Sequence, residues 1–226
     1  MKCPRCVREV APGAANCGEC GFSIADLNAH FGAEPVVLDR VHDAAGIFQP
    51  PEVESLTNAL TEFEAQFPQL FLCIHAGALP AGTGPRQFGF WLLNHAAVNA
   101  VAITRPNENG ALLVLDAASG QAALVVGYFL ECHLNREDLQ ACLNAARNSW
   151  QHGRFAAGAL QVVGEFSNRL RRAATSAAAG PEQPAGARTA TEPTPSGLSA
   201  AKPGAGGKPW LKGERKSPYK KKGKRR

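Results

Sequence analysis

The amino-acid sequence predicts an α/β fold, a mixed sheet covered by helices, with a small cysteine-rich module before it and a disordered C-terminal tail after it. Three observations lead to this prediction. Residues 36–172 hold nearly all the periodic apolar pattern, in the order helix, strand, helix, two strands, two helices. Within that order only AASG separates the segments ALLVLD and QAALVVGY, which requires an antiparallel hairpin. Residues 1–24 contain four of the seven cysteines but few large apolar side chains.

The first elements of the body are a helix, a buried strand and a second helix. Apolar residues recur at steps of three and four behind Pro50-Pro51, which predicts a helix from about Glu52 that Pro68 ends. The segment LFLCIH at 70–75 is almost continuously apolar, as in a strand buried on both faces. A helix is predicted over 85–98. The apolar face of the first helix comprises Val53, Leu56, Leu60, Phe63 and Phe67.

The second half of the body begins at the Asn109-Gly110 turn signal, which introduces the two hairpin strands. Two further helices are predicted from apolar residues at helical spacing. The face of the first comprises Leu139, Cys142, Leu143, Ala146 and Trp150, and that of the second comprises Phe155, Ala159, Val162, Phe166 and Leu170.

Composition divides the chain into a module at 1–24, a connector at 25–35, the α/β body at 36–172, a linker at 173–201 and a tail at 202–226. The linker is rich in Ala, Gly, Pro, Thr and Ser, so little apolar burial offsets the entropy of ordering it. The tail carries eleven Lys and Arg against Glu214, a charge of +10, so the formal total of +5 leaves −5 for the rest. Only the tail is therefore expected to seek polyanions.

The sequence also bears on location. It has no run of about 18 uncharged apolar residues, and its start, MKCPRCVREV, lacks the apolar stretch of a signal peptide. We therefore expect a cytoplasmic protein without a transmembrane segment, which its tail could attach peripherally to a membrane. Thiols in that compartment stay reduced, so closely spaced cysteines favour a metal site over disulfides.

The strongest chemical signal is the pair of CxxC motifs, Cys3-Pro-Arg-Cys6 and Cys17-Gly-Glu-Cys20, ten residues apart. Two such turns present four thiolates tetrahedrally to one Zn²⁺, and with every position filled by protein the zinc is expected to be structural. The alternative is four unligated surface cysteines. The stretch resembles bacterial zinc-ribbon modules, and it departs from them at Val7, where a glycine is common.

The remaining cysteines and the histidines carry weaker signals. Cys73 and Cys142 lie within apolar patterns, where a free cysteine usually acts as a small hydrophobic residue. The pair Cys132-His133 is open to two readings, half of a metal site or a catalytic pair, although neighbouring residues point in different directions. The other histidines lack the i,i+4 spacing of a helical zinc site.

Residues 36–172 contain four distinctive segments, Asp43-Ala-Ala-Gly46, Asn109-Gly110-Ala-Leu-Leu, Gly127-Tyr128-x-Leu130-Glu131 and Gly153-x-Phe155-x-x-Gly158. Through these segments, residues 36–172 resemble a TPM domain, the family also called TPM phosphatase. The resemblance implies a Rossmann-like sandwich with a polar pocket at the strand ends. In some relatives that pocket binds a divalent metal and is associated with acid-phosphatase activity.

Two polar positions of the family are replaced in this chain. The hairpin turn, where the family commonly has Asp-Arg, reads Ala118-Ser119-Gly120-Gln121, and the acidic position after the Gly-Tyr segment is Arg136. A hard cation needs clustered carboxylates. Three weak catalytic candidates remain, Asp43, Asp116 and Glu131, and each is alternatively a turn or cap carboxylate.

Three functions are compatible with these features. The first is a non-catalytic or vestigial binding and scaffold module for an unknown protein partner, with the zinc ribbon as a second recognition surface. The second is a metal-dependent, acid-phosphatase-like hydrolase in which Asp43, Glu131 and Asp116 hold a divalent cation. The replaced polar positions favour the first.

The third function is non-specific association with nucleic acid or an anionic membrane through the tail. Lys and Arg release counterions from a polyanion, and Trp210 or Tyr219 could stack on bases. The alternative is that the tail serves only to keep the protein soluble. The candidate polyanion-binding residues are Lys212, Arg215, Lys216, Lys220, Lys221, Lys222, Lys224, Arg225 and Arg226.

Overall fold

The computed structural model describes residues 2–11, 14–34, 36–80, 82–98 and 107–178. All of them belong to one compact unit, Met1–Glu182, and the linker beyond 178 and the basic tail lie outside the described residues. The helices are α1 (Ile24–Phe31), α2 (Pro50–Gln66), α3 (Pro85–His95), α4 (Tyr128–Glu131), α5 (Arg136–Gln151) and α6 (Phe155–Ala178). The strands are β1 (Val36–Leu38), β2 (Val41–Asp43), β3 (Phe71–Gly77), β4 (Ala96–Val98), β5 (Gly110–Asp116) and β6 (Gln121–Val126).

A mixed sheet of four strands forms the centre, in the order β2-β3-β5-β6. The strands β2, β3 and β5 are parallel, and β6 returns antiparallel to β5 with Asp116 opposite Gln121. This confirms the predicted hairpin and the mixed sheet covered by helices. Both β3 and β5 are buried along their whole length, as the continuous apolar pattern predicts. The short strands β1 and β4 form a separate parallel pair.

One face of the sheet is covered by α2, α5 and α6. The predicted apolar faces of these helices pack there, and Leu56, Leu60 and Phe166 are completely buried. Burying a side chain of this size contributes about 1.5–3 kcal/mol. The helices α5 and α6 pack closely, because Gly158 leaves space for the Trp150 indole, whose N–H donates to the Phe155 carbonyl at 3.2 Å.

The other face is covered by α3, by α1 and by the cysteine module. Cys3, Cys17 and Phe22 belong to the same buried cluster as Phe71 and Trp91 of the body. The Trp91 indole N–H donates to the carbonyl of Gly32, just after α1, at 3.0 Å. The cysteine module is therefore packed against the body as part of its second hydrophobic layer.

Three element predictions need correction. The helix predicted over 85–98 ends at His95, because Ala96–Val98 leave it to pair with Val36–Leu38 as a strand. The start of the linker predicted at residue 173 overlaps α6, which continues to Ala178. The connector at 25–35 contains most of α1, whose Leu27 packs into the second cluster.

Among the residues that the structure describes, no helix combines the length and the hydrophobicity needed to cross a lipid bilayer.

Candidate functional site

The four cysteines of the CxxC motifs converge on one point. Their sulfur atoms all lie within 4.8 Å of one another, with Sγ–Sγ distances of 3.6 Å for Cys3–Cys20 and for Cys6–Cys17. Four sulfurs placed tetrahedrally at the Zn–S bond length of about 2.3 Å would lie about 3.8 Å apart. The donor set and its spacing therefore fit a tetrahedral thiophilic metal.

The two halves of the cysteine site repeat the same backbone geometry. The Val7 N–H donates to the Cys3 carbonyl at 2.9 Å, and the Gly21 N–H donates to the Cys17 carbonyl at 2.9 Å. Both turns end in the left-handed region, with φ of 65° at Val7 and 68° at Gly21. Val7 is the one non-glycine residue with positive φ among the described residues. The departure noted in the sequence therefore lies at a position that favours glycine.

The thiols of Cys17 and Cys20 have very different pKa values. The pKa of Cys17 is lowered to about 7, because the backbone N–H groups of Cys20 and Glu19 donate to its sulfur. The Phe22 N–H lowers the pKa of Cys20, but burial and the neighbouring thiols outweigh it and raise that pKa to about 12. Four thiolates this close repel one another without a cation, so the geometry favours a metal that displaces the remaining protons.

Glu131 attaches the cysteine module to the body. Its Oε2 accepts the backbone N–H of Lys2 at 3.0 Å. Burial raises the pKa of Glu131, and the Lys2 N–H partly offsets that effect. Within the module, the Arg5 guanidinium lies 4.9 Å from the centre of the Phe22 ring. In this structure Glu131 therefore has a structural partner.

Asp43 organises the loop between β2 and α2. Its two carboxylate oxygens accept the backbone N–H groups of Ile47, at 3.1 Å, and Phe48, at 2.8 Å. Both oxygens are thus used in one tight turn, as in an Asx-type cap.

Asp116 plays a similar part at the end of β5. Its Oδ1 accepts the N–H of Leu79 at 3.2 Å and that of Ala118 at 3.1 Å, and its Oδ2 accepts the Ser119 hydroxyl. Burial raises the pKa of Asp116, but these hydrogen bonds outweigh it, so the pKa lies below its ordinary value. The carboxylate ties the hairpin turn to the loop after β3.

The three carboxylates do not lie together in this structure, whereas the hydrolase hypothesis places a single divalent ion among them. Asp43 and Asp116 end strands β2 and β5 with β3 between them, so their backbones are about two strand spacings, roughly 10 Å, apart. Glu131 follows β6 at the opposite end, where the Gly127 N–H donates to the carbonyl of Gly110, the first residue of β5. Among the described residues, the four cysteines are the one group of three or more metal-binding side chains close enough to hold an ion.

Two histidines meet on adjacent strands, a contact that residue spacing in the sequence cannot show. The rings of His42 and His75 stack at 5.2 Å on adjacent strands. Burial, together with His42, lowers the pKa of His75 to about 4, and its Nδ1 has no hydrogen-bond partner among the described residues. His75 is therefore a neutral core histidine at neutral pH.

The other cysteines have ordinary environments. Cys73 and Cys142 are buried in the two hydrophobic clusters, as predicted, and burial raises the pKa of each thiol to about 12. The exposed Cys132 thiol donates to the Tyr128 carbonyl at 3.5 Å, and the His133 ring packs on Phe129. Cys132 and His133 thus face different partners.

Two cavities adjoin strand β6. One, of about 510 Å³, lies by the hairpin turn between the sheet and α5, and its charged lining residues are Asp116 and Arg147. The other, of about 550 Å³, is a cleft between the cysteine module, the start of α3, the whole of β6 and the start of α5. Its lining comes from four distant parts of the chain, so sequence patterns alone could not reveal it.

Several known proteins resemble this chain. Three NMR structures are similar to it. The first is the N-terminal domain of the cg2496 protein from Corynebacterium glutamicum (18% identity, 57% of this chain and 78% of that chain covered, TM-score 0.45). The others are the BA42 protein from the psychrophilic bacterium Bizionia argentinensis (11%, 57% and 85%, TM-score 0.48) and the N-terminal domain of a protein from P. gingivalis (17%, 67% and 92%, TM-score 0.45). No curated protein matches the chain significantly. The family model of the TPM domain matches residues 41–169, more than half of the chain. The chain therefore belongs to the TPM domain family.

Proposed function

We infer that this TPM-domain protein is a non-catalytic or vestigial binding and scaffold module with a structural zinc ribbon. One observation carries the inference: each candidate carboxylate is engaged in holding the fold, and the three do not converge. A hydrolase that uses a hard cation needs several carboxylate oxygens free to coordinate one ion.

The zinc assignment rests on the cysteine site. Four sulfurs at tetrahedral spacing suit Zn²⁺, and a site closed by four protein ligands has no open position for substrate. Structural zinc contributes about 10–16 kcal/mol of apparent binding free energy in small fingers. That contribution would compensate for the low apolar content of residues 1–24, the segment that we assign as the ribbon.

Metal analysis of the full-length protein tests this function. We expect about one zinc per chain in the wild type, none in Cys17→Ser, and full zinc in Cys132→Ser, a control because Cys132 is exposed and outside the cluster. Titration of the zinc-loaded protein with Mg²⁺, Mn²⁺ and Ca²⁺ should show no second tight site. Metal-dependent turnover of a phosphomonoester that Asp43→Ala abolishes would instead establish the hydrolase.

The tail supports a second binding activity, directed at polyanions. Residues 202–226 lie outside the described residues, so this proposal rests on the charge of +10 alone. Lys and Arg in such a segment should bind RNA, DNA or anionic lipid without sequence preference, and affinity should fall steeply with salt. Deletion of 202–226 should remove the binding. An affinity for RNA and for phosphatidylserine vesicles that the deletion leaves unchanged would contradict the proposal.

The cytoplasm is the compartment that suits this protein, since the cysteine site requires reduced thiols. Oxidation of the purified protein should release zinc, which a chromogenic zinc indicator would detect.

A further inference from the structure

Strand β6 is an edge strand whose outer side faces the cleft. The register pairs Gln121, Ala123 and Val125 with Asp116, Val114 and Leu112. Antiparallel pairs alternate between hydrogen-bonded and non-bonded positions, and the bond from the Gly127 N–H to the Gly110 carbonyl fixes the phase. The N–H and C=O groups of Ala122, Leu124 and Val126 therefore point away from β5.

No described strand pairs with that outer side. The edge also lacks the usual protection, since the segment QAALVV contains no proline, no charged residue and no glycine. All six residues of β6 line the cleft of about 550 Å³. A six-residue strand is about 20 Å long, enough to pair with an extended peptide.

The walls of the cleft suit the side chains of such a peptide. One wall is Phe90 of α3 together with Pro4 and Val7 of the cysteine module, and the other is Leu139 and Leu143 of α5. Alternate side chains of an added strand point to opposite sides, so each wall would receive every second side chain.

The rim of the cleft is positively charged. Four basic residues line it, Lys2, Arg5, Arg86 and Arg136, against one acidic residue, Glu131, which already accepts the Lys2 N–H. This charge disfavours the chain's own basic tail as an occupant, and it disfavours edge-to-edge pairing with a second copy, because both would bring like charge into the cleft.

We propose that this cleft binds an extended acidic segment of a partner protein, which pairs with β6 as a fifth strand of the sheet. Main-chain hydrogen bonds to Ala122, Leu124 and Val126 would supply the affinity, and the basic rim would select acidic flanks. The proposal rests on the proposed function as a binding module and names its site and ligand class.

A displayed library of random octapeptides, selected against the zinc-loaded full-length protein, tests the proposal. Binders should carry Asp or Glu in their flanks. Reversal of three rim charges (Arg5→Glu, Arg86→Glu and Arg136→Glu together) should weaken the selected peptides at least tenfold. Arg154→Glu, an exposed residue outside the cleft, should change affinity less than twofold.

The basic tail could also attract acidic peptides, so two further measurements locate the binding. A copy of the best peptide, N-methylated at alternate residues, keeps its charge but cannot pair with a strand, and it should bind at least tenfold more weakly. In amide hydrogen exchange of the free protein, Ala123 and Val125 should be protected, whereas Ala122, Leu124 and Val126 should exchange faster. The peptide should slow exchange at those three amides.

Three results would overturn the proposal: a library without binders, binders indifferent to the three charge reversals or to N-methylation, and protection confined to residues outside β6. A concentration-dependent dimer that protects the same amides without peptide would point to a second copy as the occupant and would equally refute it. None of these results affects the metal analysis above. Phosphomonoester turnover abolished by Asp43→Ala would refute the proposed function while leaving peptide binding at β6 to be measured separately.

Discussion

The left-handed turn at Val7 allows a quantitative test of the cysteine site. At φ of 65° a residue with a Cβ pays about 1–2 kcal/mol relative to the right-handed region. Glycine avoids that strain but loses about 0.4–1 kcal/mol through the greater freedom of the unfolded chain. The net gain of glycine over alanine at this position should be about 1 kcal/mol, or roughly fivefold in a binding constant.

A comparison of Val7→Gly with Val7→Ala isolates the free energy of the backbone strain. Both variants lose the half-buried methyl groups of Val7, and only the glycine variant also removes the backbone strain. Because metal binding and folding of such a module are one process, the difference should appear in zinc affinity. In competition with a chromogenic chelator, we expect Val7→Gly to bind zinc about fivefold more tightly than Val7→Ala.

The equivalent turn in the second half of the site allows the opposite substitution, from glycine to alanine. Gly21 has φ of 68°, and a Cβ added there meets no atom within 4 Å, so Gly21→Ala should weaken zinc binding about fivefold through backbone strain alone. Gly18→Ala is the control, because its φ is not positive and its Cβ would also meet nothing within 4 Å. Equal affinities for the two Val7 variants, or for Gly21→Ala and the wild type, would refute the reasoning.

Three further predictions concern the stability of the body. Burial lowers the pKa of His75 to about 4 from an ordinary value of 6.5, so the unfolded chain takes up this proton first as the pH falls. The free energy of unfolding should therefore drop by about 3 kcal/mol from pH 6.5 to pH 4, and urea titrations of His75→Gln should lack most of this loss. Gly158→Ala should lower the unfolding free energy by about 2 kcal/mol, because a Cβ there overlaps the Trp150 indole. Gly164→Ala in the same helix meets no atom, so in thermal melts it should raise the unfolding free energy by up to about 1 kcal/mol. Arg40→Leu should cost about 3 kcal/mol, because it removes the guanidinium that lies 2.9 Å from the buried Glu64 carboxylate, and adding Glu64→Leu should recover most of that loss in urea titrations.

Long periodic elements could be predicted from the sequence, and short ones could not. The faces of α2, α5 and α6 follow from apolar spacing alone, because each helix buries one continuous stripe. The helix predicted over 85–98 includes Ala96–Val98, which instead form strand β4. Its strand conformation depends on pairing with Val36–Leu38, about sixty residues earlier, which local spacing cannot show.

The candidate site likewise contains residues whose role the sequence predicts and residues whose role it does not. Thiol ligands are recognisable because metal geometry constrains their spacing to CxxC pairs, and the four sulfurs do converge. A carboxylate carries no such constraint. Asp43 and Asp116 are indistinguishable in sequence from metal ligands, and only their contacts show that their oxygens accept hydrogen bonds from backbone N–H groups and the Ser119 hydroxyl.

The sharing of one apolar layer by Cys3, Cys17 and the body gives the two sides of the sheet different chemical sensitivities. The side under α2, α5 and α6 depends on side-chain packing, which temperature and denaturant disturb. If the thiols hold zinc, the opposite side also depends on an ion that chelators and oxidants can remove. EDTA or peroxide would then loosen the layer that contains Cys3 and Cys17 before the layer under α2, α5 and α6.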